Sequence, residues 1–319
     1  MGLWAVQNAE ARIAIERCSV RTARQWASYL FTRSVILLMR LLAALPLPPI
    51  RVMGKGLGWL LYLFVTRRRL IVETNLGLCF PEKTKGERQV LARQTFVYFA
   101  QAWLDRAWLW HAPQAWVKRR VMLTGAVQEL QGKDSTVIFL PHFYGLDAAW
   151  AGVALHNPRM STTIYTDQSN KLIDRWILRG RHRFGNLRLF GRIAGVKPIV
   201  TALREGQPLY LLPDMDFGPQ DSVFVPFYGI ATATVPSLAR FARLGKAKVV
   251  PLVPRMTAGG YEVEVFPAWT DFPSDDPVAD TALMNQRLQG YIATMPPQYY
   301  WVHKRFKTRP DGDASVYSD

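Results

Sequence analysis

The sequence predicts an α/β layer structure around a largely parallel sheet. Two observations carry that prediction: short runs rich in β-branched and aromatic residues, and helical stretches that alternate with them. The strand candidates are 136–140 (TVIFL), 162–165, 209–212, 248–253 and the alternating 261–266 (YEVEVF). The helical stretches between and after them are 146–155, 172–182, 199–203, 237–244 and 281–295. A third observation bounds the size. A chain of 319 residues, 49% hydrophobic and 20% charged, suffices for one large domain and excludes a collagen, a coiled coil or bulk disorder.

From the N-terminus, the first element is basic. Arg12, Arg17, Arg21, Arg24 and Arg33 stand against Glu10 and Glu16, and the apolar run 35–50 (VILLMRLLAALPLPPI) follows. A cleaved secretory signal would begin its apolar stretch earlier and close it on small residues, whereas this run closes on Pro46, Pro48 and Pro49. A spanning helix needs about 20 apolar residues. This run has 16 and carries Arg40, a residue penalised by roughly 2.5 to 3.5 kcal/mol at a helix centre. It is a borderline span, and basic residues at both ends leave its orientation open, so lying in the interface fits as well as crossing. A second patch, 57–65 (LGWLLYLFV), is too short to cross. The chain therefore divides into a membrane-associating helical segment over 1–70, a main domain over 71–310 and a tail over 311–319.

The net charge of +16 favours anionic partners. Because 11 Trp, 16 Phe and 12 Tyr accompany 40 Lys and Arg, the mixture suits a lipid headgroup boundary better than nucleic acid. The two cysteines, Cys18 and Cys79, fit neither a metal-ligand spacing nor a disulfide framework and indicate a reducing compartment.

Residues 87–110 contain neither Gly nor Pro and place Val90, Leu91, Phe96, Val97, Trp103 and Leu104 at three- and four-residue steps, an amphipathic helix. Beyond it, two strand exits draw attention, because ligands of parallel sheets gather where strands end. The first is TVIFLPHFYGLD, with His142 just past the strand and Asp147 five residues on, at the start of a helix. A carboxylate at Asp147 would accept the His142 Nδ1 hydrogen and leave Nε2 free to take a proton from a substrate hydroxyl. The spacing alone is weak; its place at a strand exit strengthens it. The second exit, QPLYLLPDMDFG, carries Asp214 and Asp216, which would orient a hydroxyl, bind a cation or cap a turn before Gly218. Between the exits, Lys171, Arg175, Arg179, Arg181, Arg183, Arg188 and Arg192 are offset by Asp174 alone. This stretch should face phosphate, acidic lipid or an acidic carrier, with one arginine available to a developing oxyanion.

Five ordered blocks then bear a resemblance: PHFYGLD, LPDMDFG, SVFVPFYGIATAT, VVPLVPR and YYWVHKRFKTRP. In that order they resemble the late acyltransferases of lipid A biosynthesis, the lauroyl and myristoyl transferase group, over roughly residues 35–310. The resemblance implies a glycerophosphate-acyltransferase-like α/β fold, an N-terminal anchor in the bacterial inner membrane and a catalytic domain on its cytoplasmic face. It further implies transfer from acyl carrier protein to a hydroxyacyl chain of a Kdo-bearing lipid A precursor, without cofactor or metal. Residue by residue, His142 matches the base, Asp147 the acid of an HxxxxD motif and Asp214 the acid of the PDxDxG block. Arg181 is favoured as the essential arginine, with Arg179 and Arg183 as alternatives. Lys171, Arg175, Arg179, Arg183 and Asp216 are the expected substrate-binding set. A glycerophospholipid acyltransferase is the alternative enzyme, although its later block reads like PEGT rather than PDMDFG. A non-catalytic basic binding protein would leave the ordered motifs unexplained.

Overall fold

A computed structural model describes residues 23–191 and 195–317. Arg12, Arg17, Cys18, Arg21, Arg192, Glu10 and Glu16 lie outside the described residues. Among the described residues four helices lead in: α1 (Ala23–Leu42), α2 (Leu47–Phe64), α3 (Thr66–Cys79) and the long α4 (Lys85–His111), followed by the short α5 (Gln114–Arg120). Thr84 opens α4 with a capping box, its hydroxyl accepting from the Glu87 N–H while the Glu87 carboxylate accepts from the Thr84 N–H.

The apolar run 35–50 does not form one helix. It is broken by a turn after Leu42, and Pro46 precedes α2, which carries Pro48 and Pro49 in its first turn, where proline costs no hydrogen bond. Among the described residues, no helix is long and apolar enough to cross a membrane. Instead α2 packs closely on α4. A Cβ at Gly58 would lie 2.5 Å from Val97 Cα, and one at Gly54 would lie 2.9 Å from Gln101 Cα, so only glycine permits this approach. The opposite side leaves Phe31, Leu37 and Leu41 of α1 and Val52, Leu60, Leu63 and Phe64 of α2 exposed.

The sheet has seven strands: β1 (Val121–Gly125), β2 (Thr136–Phe139), β3 (Ser161–Tyr165), β4 (Leu187–Gly191), β5 (Leu209–Leu211), β8 (Lys248–Thr257) and β9 (Gly260–Val265). Their order is β1-β9-β8-β2-β5-β3-β4, and only β8 and β9 run antiparallel. The helices α6 (Leu146–His156), α7 (Lys171–Arg181), α8 (Lys197–Arg204), α9 (Ser237–Gly245) and α10 (Pro277–Ala293) complete the layers, and β6 (Val223–Phe227) and β7 (Ile230–Thr234) form a separate hairpin.

β2 is buried along its whole length, as a central strand covered on both faces must be. Its alternation divides the core. Val137 and Phe139 point into one cluster with residues of α3, α8, α9 and α10, while Ile138 and Leu140 point into the other with residues of α1, α4, α6 and α7. The expected mixed α/β fold with a largely parallel sheet flanked by helices is the one observed.

Candidate active site

The parallel pairing of β2 with β5 places the first pair of candidate residues. Phe139 stands opposite Leu211 in the register, so His142 and Asp214, each three residues past its strand partner, leave the sheet side by side. The Asp214 carboxylate is fully buried and grips His142 at two points. The backbone N–H of His142 donates to Oδ2 at 2.9 Å, and the ring Nδ1 meets Oδ1 at 2.8 Å. Tyr299 adds a third contact, its hydroxyl donating to Oδ2 at 3.0 Å. Burial pushes the Asp214 carboxyl up, but the charge of His142 and the hydrogen bonds it gives outweigh burial and hold the group below its ordinary value. An ionised carboxylate only accepts, so Nδ1 carries a hydrogen, and in the singly protonated ring it is Nε2 that holds the lone pair. The His142 side chain is 24% exposed, which leaves its outer edge within reach of a ligand.

Asp147 has other partners. The expected hydrogen bond from His142 Nδ1 to Asp147 does not form, because the neighbouring strand delivers Asp214 to that nitrogen while Asp147 is carried away in the first turn of α6. There it lies between two guanidinium groups: Arg106 Nε donates to Oδ2 at 2.8 Å and Arg181 Nε donates to Oδ1 at 3.0 Å. Burial would raise the Asp147 carboxyl, yet Arg181 and Arg106 more than offset this and hold it down at about 2. The Nη1 of Arg106 is buried with no hydrogen-bond partner.

The remaining sequence candidates separate. Arg175 and Arg179 line a groove of about 850 Å³ between α7 and α1. Lys171 points to solvent and pairs with Asp167 at 2.8 Å, and Arg183 donates to the carbonyls of Leu109 and Ala112, tying down the end of α4. Asp216 caps the turn into Gly218 (2.9 Å) and clasps Thr308 through its N–H (2.7 Å) and hydroxyl (2.8 Å). Its own N–H donates to His303 Nε2 at 3.0 Å. Of the expected substrate-binding set, Lys171, Arg183 and Asp216 thus make local structural contacts, which the count of charges along the chain did not separate from the groove residues. Among the described residues, no group of three or more His, Cys, Asp or Glu side chains could hold a metal ion.

Sequence reasoning missed Arg106 and Tyr299. Arg106 did leave a signal, as a basic residue within the aromatic stretch Trp103 to Trp110 of α4, over whose rings its guanidinium lies at 4.4 and 5.5 Å. Tyr299 opens the block YYWVHKRFKTRP, but nothing in that block points to Asp214, because the contact joins segments 85 residues apart.

The sequence profile of bacterial lipid A biosynthesis acyltransferases matches residues 17–308. A lipid A biosynthesis acyltransferase of Haemophilus influenzae is 34% identical over 253 residues, covering 77% of this chain and 78% of that protein. The lipid A biosynthesis lauroyltransferase of Escherichia coli K12 is 32% identical over 283 residues, covering 87% of this chain and 91% of its own. The myristoyltransferase of the same organism is 32% identical over 257 residues, covering 79% and 78%.

Proposed function

The chain belongs to the bacterial lipid A biosynthesis acyltransferase family, and from that premise we propose that it moves a fatty acyl chain from acyl carrier protein onto a hydroxyl of a Kdo-bearing lipid A precursor, with His142 as general base. The observation that carries this reading is the double grip of buried Asp214 on His142, which leaves Nε2 as the acceptor at a strand exit. Nε2 takes the proton of the acceptor hydroxyl as its oxygen bonds to the thioester carbonyl carbon. The carbonyl oxygen becomes an oxyanion, stabilised by the N–H groups of Arg181 and Arg106 that Asp147 orients. Collapse breaks the C–S bond, and the departing thiolate recovers the proton from His142. The ester and the free thiol balance the hydroxyl and the thioester.

Transfer is direct. The sequence has no G-x-S-x-G nucleophile elbow. Cys79 is buried, and burial pushes its thiol far above the ordinary range, away from the thiolate a nucleophile needs. The exposed apolar faces of α1 and α2 support seating on the bilayer interface, with the catalytic domain on the cytoplasmic side of the inner membrane. Relatives named for lauroyl and myristoyl transfer are equally similar, so identity alone does not select the chain length.

The test is mass spectrometry of a tetra-acylated, Kdo-bearing precursor incubated with the detergent-solubilised protein and acyl carrier proteins of several chain lengths. The expected result is a gain of one acyl chain that His142→Ala abolishes. A gain on lysophospholipid instead would assign the protein to glycerophospholipid acylation.

A further inference from the structure

The groove between α1 and α7 holds a charge pattern that the proposed chemistry does not use. Arg33 and Arg40 line it from α1, seven residues and so two turns apart, while Arg175 and Arg179 line it from α7, one turn apart. Trp110, Trp176 and His111 also line it. Among the described residues, none of the four arginines forms an ion pair with a carboxylate. Arg181, two residues beyond Arg179, is by contrast committed to Asp147.

The two walls are pinned together. Thr32 of α1, buried, accepts at its hydroxyl from the side-chain N–H of Asn170 at 2.9 Å, and Asn170 in turn caps α7 by accepting from the N–H groups of Leu172 and Ile173. His111 adds no positive charge of its own, since its Nε2 accepts from the Trp176 indole at 3.0 Å. The groove is therefore a preformed concavity whose fixed charges all come from arginine.

Its rim is apolar. Leu30 and Leu37 line the groove and are 58% and 57% exposed, and Phe31, Leu38 and Leu41 continue the same exposed surface along α1. A volume of about 850 Å³ suits a headgroup rather than a whole protein element. Arginine forks match phosphate oxygens in pairs, and a phosphate monoester offers three such oxygens with close to two negative charges.

We propose that this groove binds a phosphate monoester on the headgroup of an amphiphile whose acyl chains run over the exposed face of α1. The inference rests on the acyl-transfer reading in one respect, that this amphiphile is the acceptor. In that role α7 links the two sites, gripping the acceptor's phosphate with Arg175 and Arg179 while Arg181, in its last turn, stands at Asp147.

The variant that tests it is Arg40→Gln with Arg179→Gln, one change in each wall, accepted only if its thermal midpoint matches the wild type. The first measurement is flotation with phosphatidylethanolamine vesicles that contain phosphatidic acid, a monoester, or phosphatidylglycerol, a diester, at matched surface charge. The wild type should bind the monoester vesicles about tenfold more tightly, and the variant should lose that preference while keeping its affinity for the diester vesicles. Equal binding of both proteins to both vesicles overturns the proposal.

The second measurement compares acceptor KM for the phosphorylated precursor and for the same precursor treated with phosphatase. The variant should raise KM about tenfold for the first only, with the KM for acyl carrier protein unchanged. A raised donor KM would assign the groove to the acidic carrier and overturn the lipid assignment. A wild type that acylates neither acceptor would refute the acyl-transfer reading, while the vesicle result would still decide the groove.

Discussion

Asp214→Asn changes one atom and should disable the protein through a tautomer. The carboxylate accepts at Oδ2 from the His142 backbone N–H and the Tyr299 hydroxyl, and at Oδ1 from His142 Nδ1. An asparagine has one oxygen, and the backbone N–H can only donate, so the amide oxygen must take the Oδ2 place. The amide NH2 then faces Nδ1, which has to accept, and the ring proton moves to Nε2, where the substrate hydroxyl needs a lone pair. The equivalent change in a serine protease triad costs about 10⁴ in kcat. A loss of about 10³ to 10⁴ is expected here, equal to ~4 to 5.5 kcal/mol of transition-state stabilisation at ~1.36 kcal/mol per decade. The three contacts stay paired but lose their charge assistance, with little change of shape, so stability should fall by only about 1 to 3 kcal/mol. Steady-state kinetics with both substrates, beside a thermal melt, would show kcat collapse with the acceptor KM nearly constant. A folded Asp214→Asn protein within tenfold of wild-type turnover would refute the assignment of Asp214 as the orienter of the base.

Tyr299→Phe removes the third donor to Asp214, and it should lower kcat about three- to tenfold while destabilising the fold by about 1 kcal/mol; an unchanged rate would show that two donors suffice. Asp147→Asn leaves Arg106 and Arg181 facing each other without their shared carboxylate, and the thermal midpoint should drop by the equivalent of about 3 to 5 kcal/mol; a melt equal to wild type would mean that the carboxylate is solvated. Acidification should destabilise the protein through two histidines. Burial, then Arg40 and Arg183 for His111, and burial, then Arg305 and His142 for His303, push these imidazoles down from 6.5 to about 4. The unfolded chain binds their protons near pH 6.5 and the folded chain does not, so this stability is complete above about pH 6.5 and declines toward pH 4. The loss should amount to about 1 to 3 kcal/mol for the more buried His303 and less for half-buried His111; melts at pH 7.5 and 5.0 that coincide would count against neutral acceptors at these positions.

The parallel sheet was legible because its central strands are short apolar runs set between helical periods, as in TVIFL and QPLYLL. β4 was not, since LRLFG holds an arginine and lies on the sheet edge, where burial no longer enforces an apolar pattern. The hairpin of β6 and β7 was quoted only as a family block, and Pro226 within it argues against a strand unless the strand is an edge. At the site, His142 and Asp214 were each found from their strand exits, but their contact was assigned to Asp147 because distance along the chain was taken as the guide. The register of β2 against β5 decides that contact. Equal offsets from two aligned strand ends would have revealed it, once the pairing of those strands was known. Arg106 required the path of α4 across α6, which no local pattern encodes.

In the proposed reaction the two carboxylates would divide the work because their partners differ in charge. Whenever His142 holds a single ring proton, Asp214 and the imidazole form a net negative pair, which favours arrival of a proton at Nε2. Asp147 between two guanidinium groups is a net positive triad, which favours appearance of an oxyanion. In the proposed reaction the hydroxyl proton would move to His142, the first pair would become neutral and the new negative charge would appear on substrate, where the triad would meet it. Charge alone would make Asp147→Asn faster, since the triad becomes more positive. Orientation makes it slower, because the single amide oxygen can aim only one of the Nε donors of Arg106 and Arg181, and the amide NH2 faces the other. A preorganised dipole acts through direction, and water already supplies loosely held charge. The sign of that rate change therefore separates the two explanations, and a large decrease in kcat is the outcome that the hydrogen-bonded geometry requires.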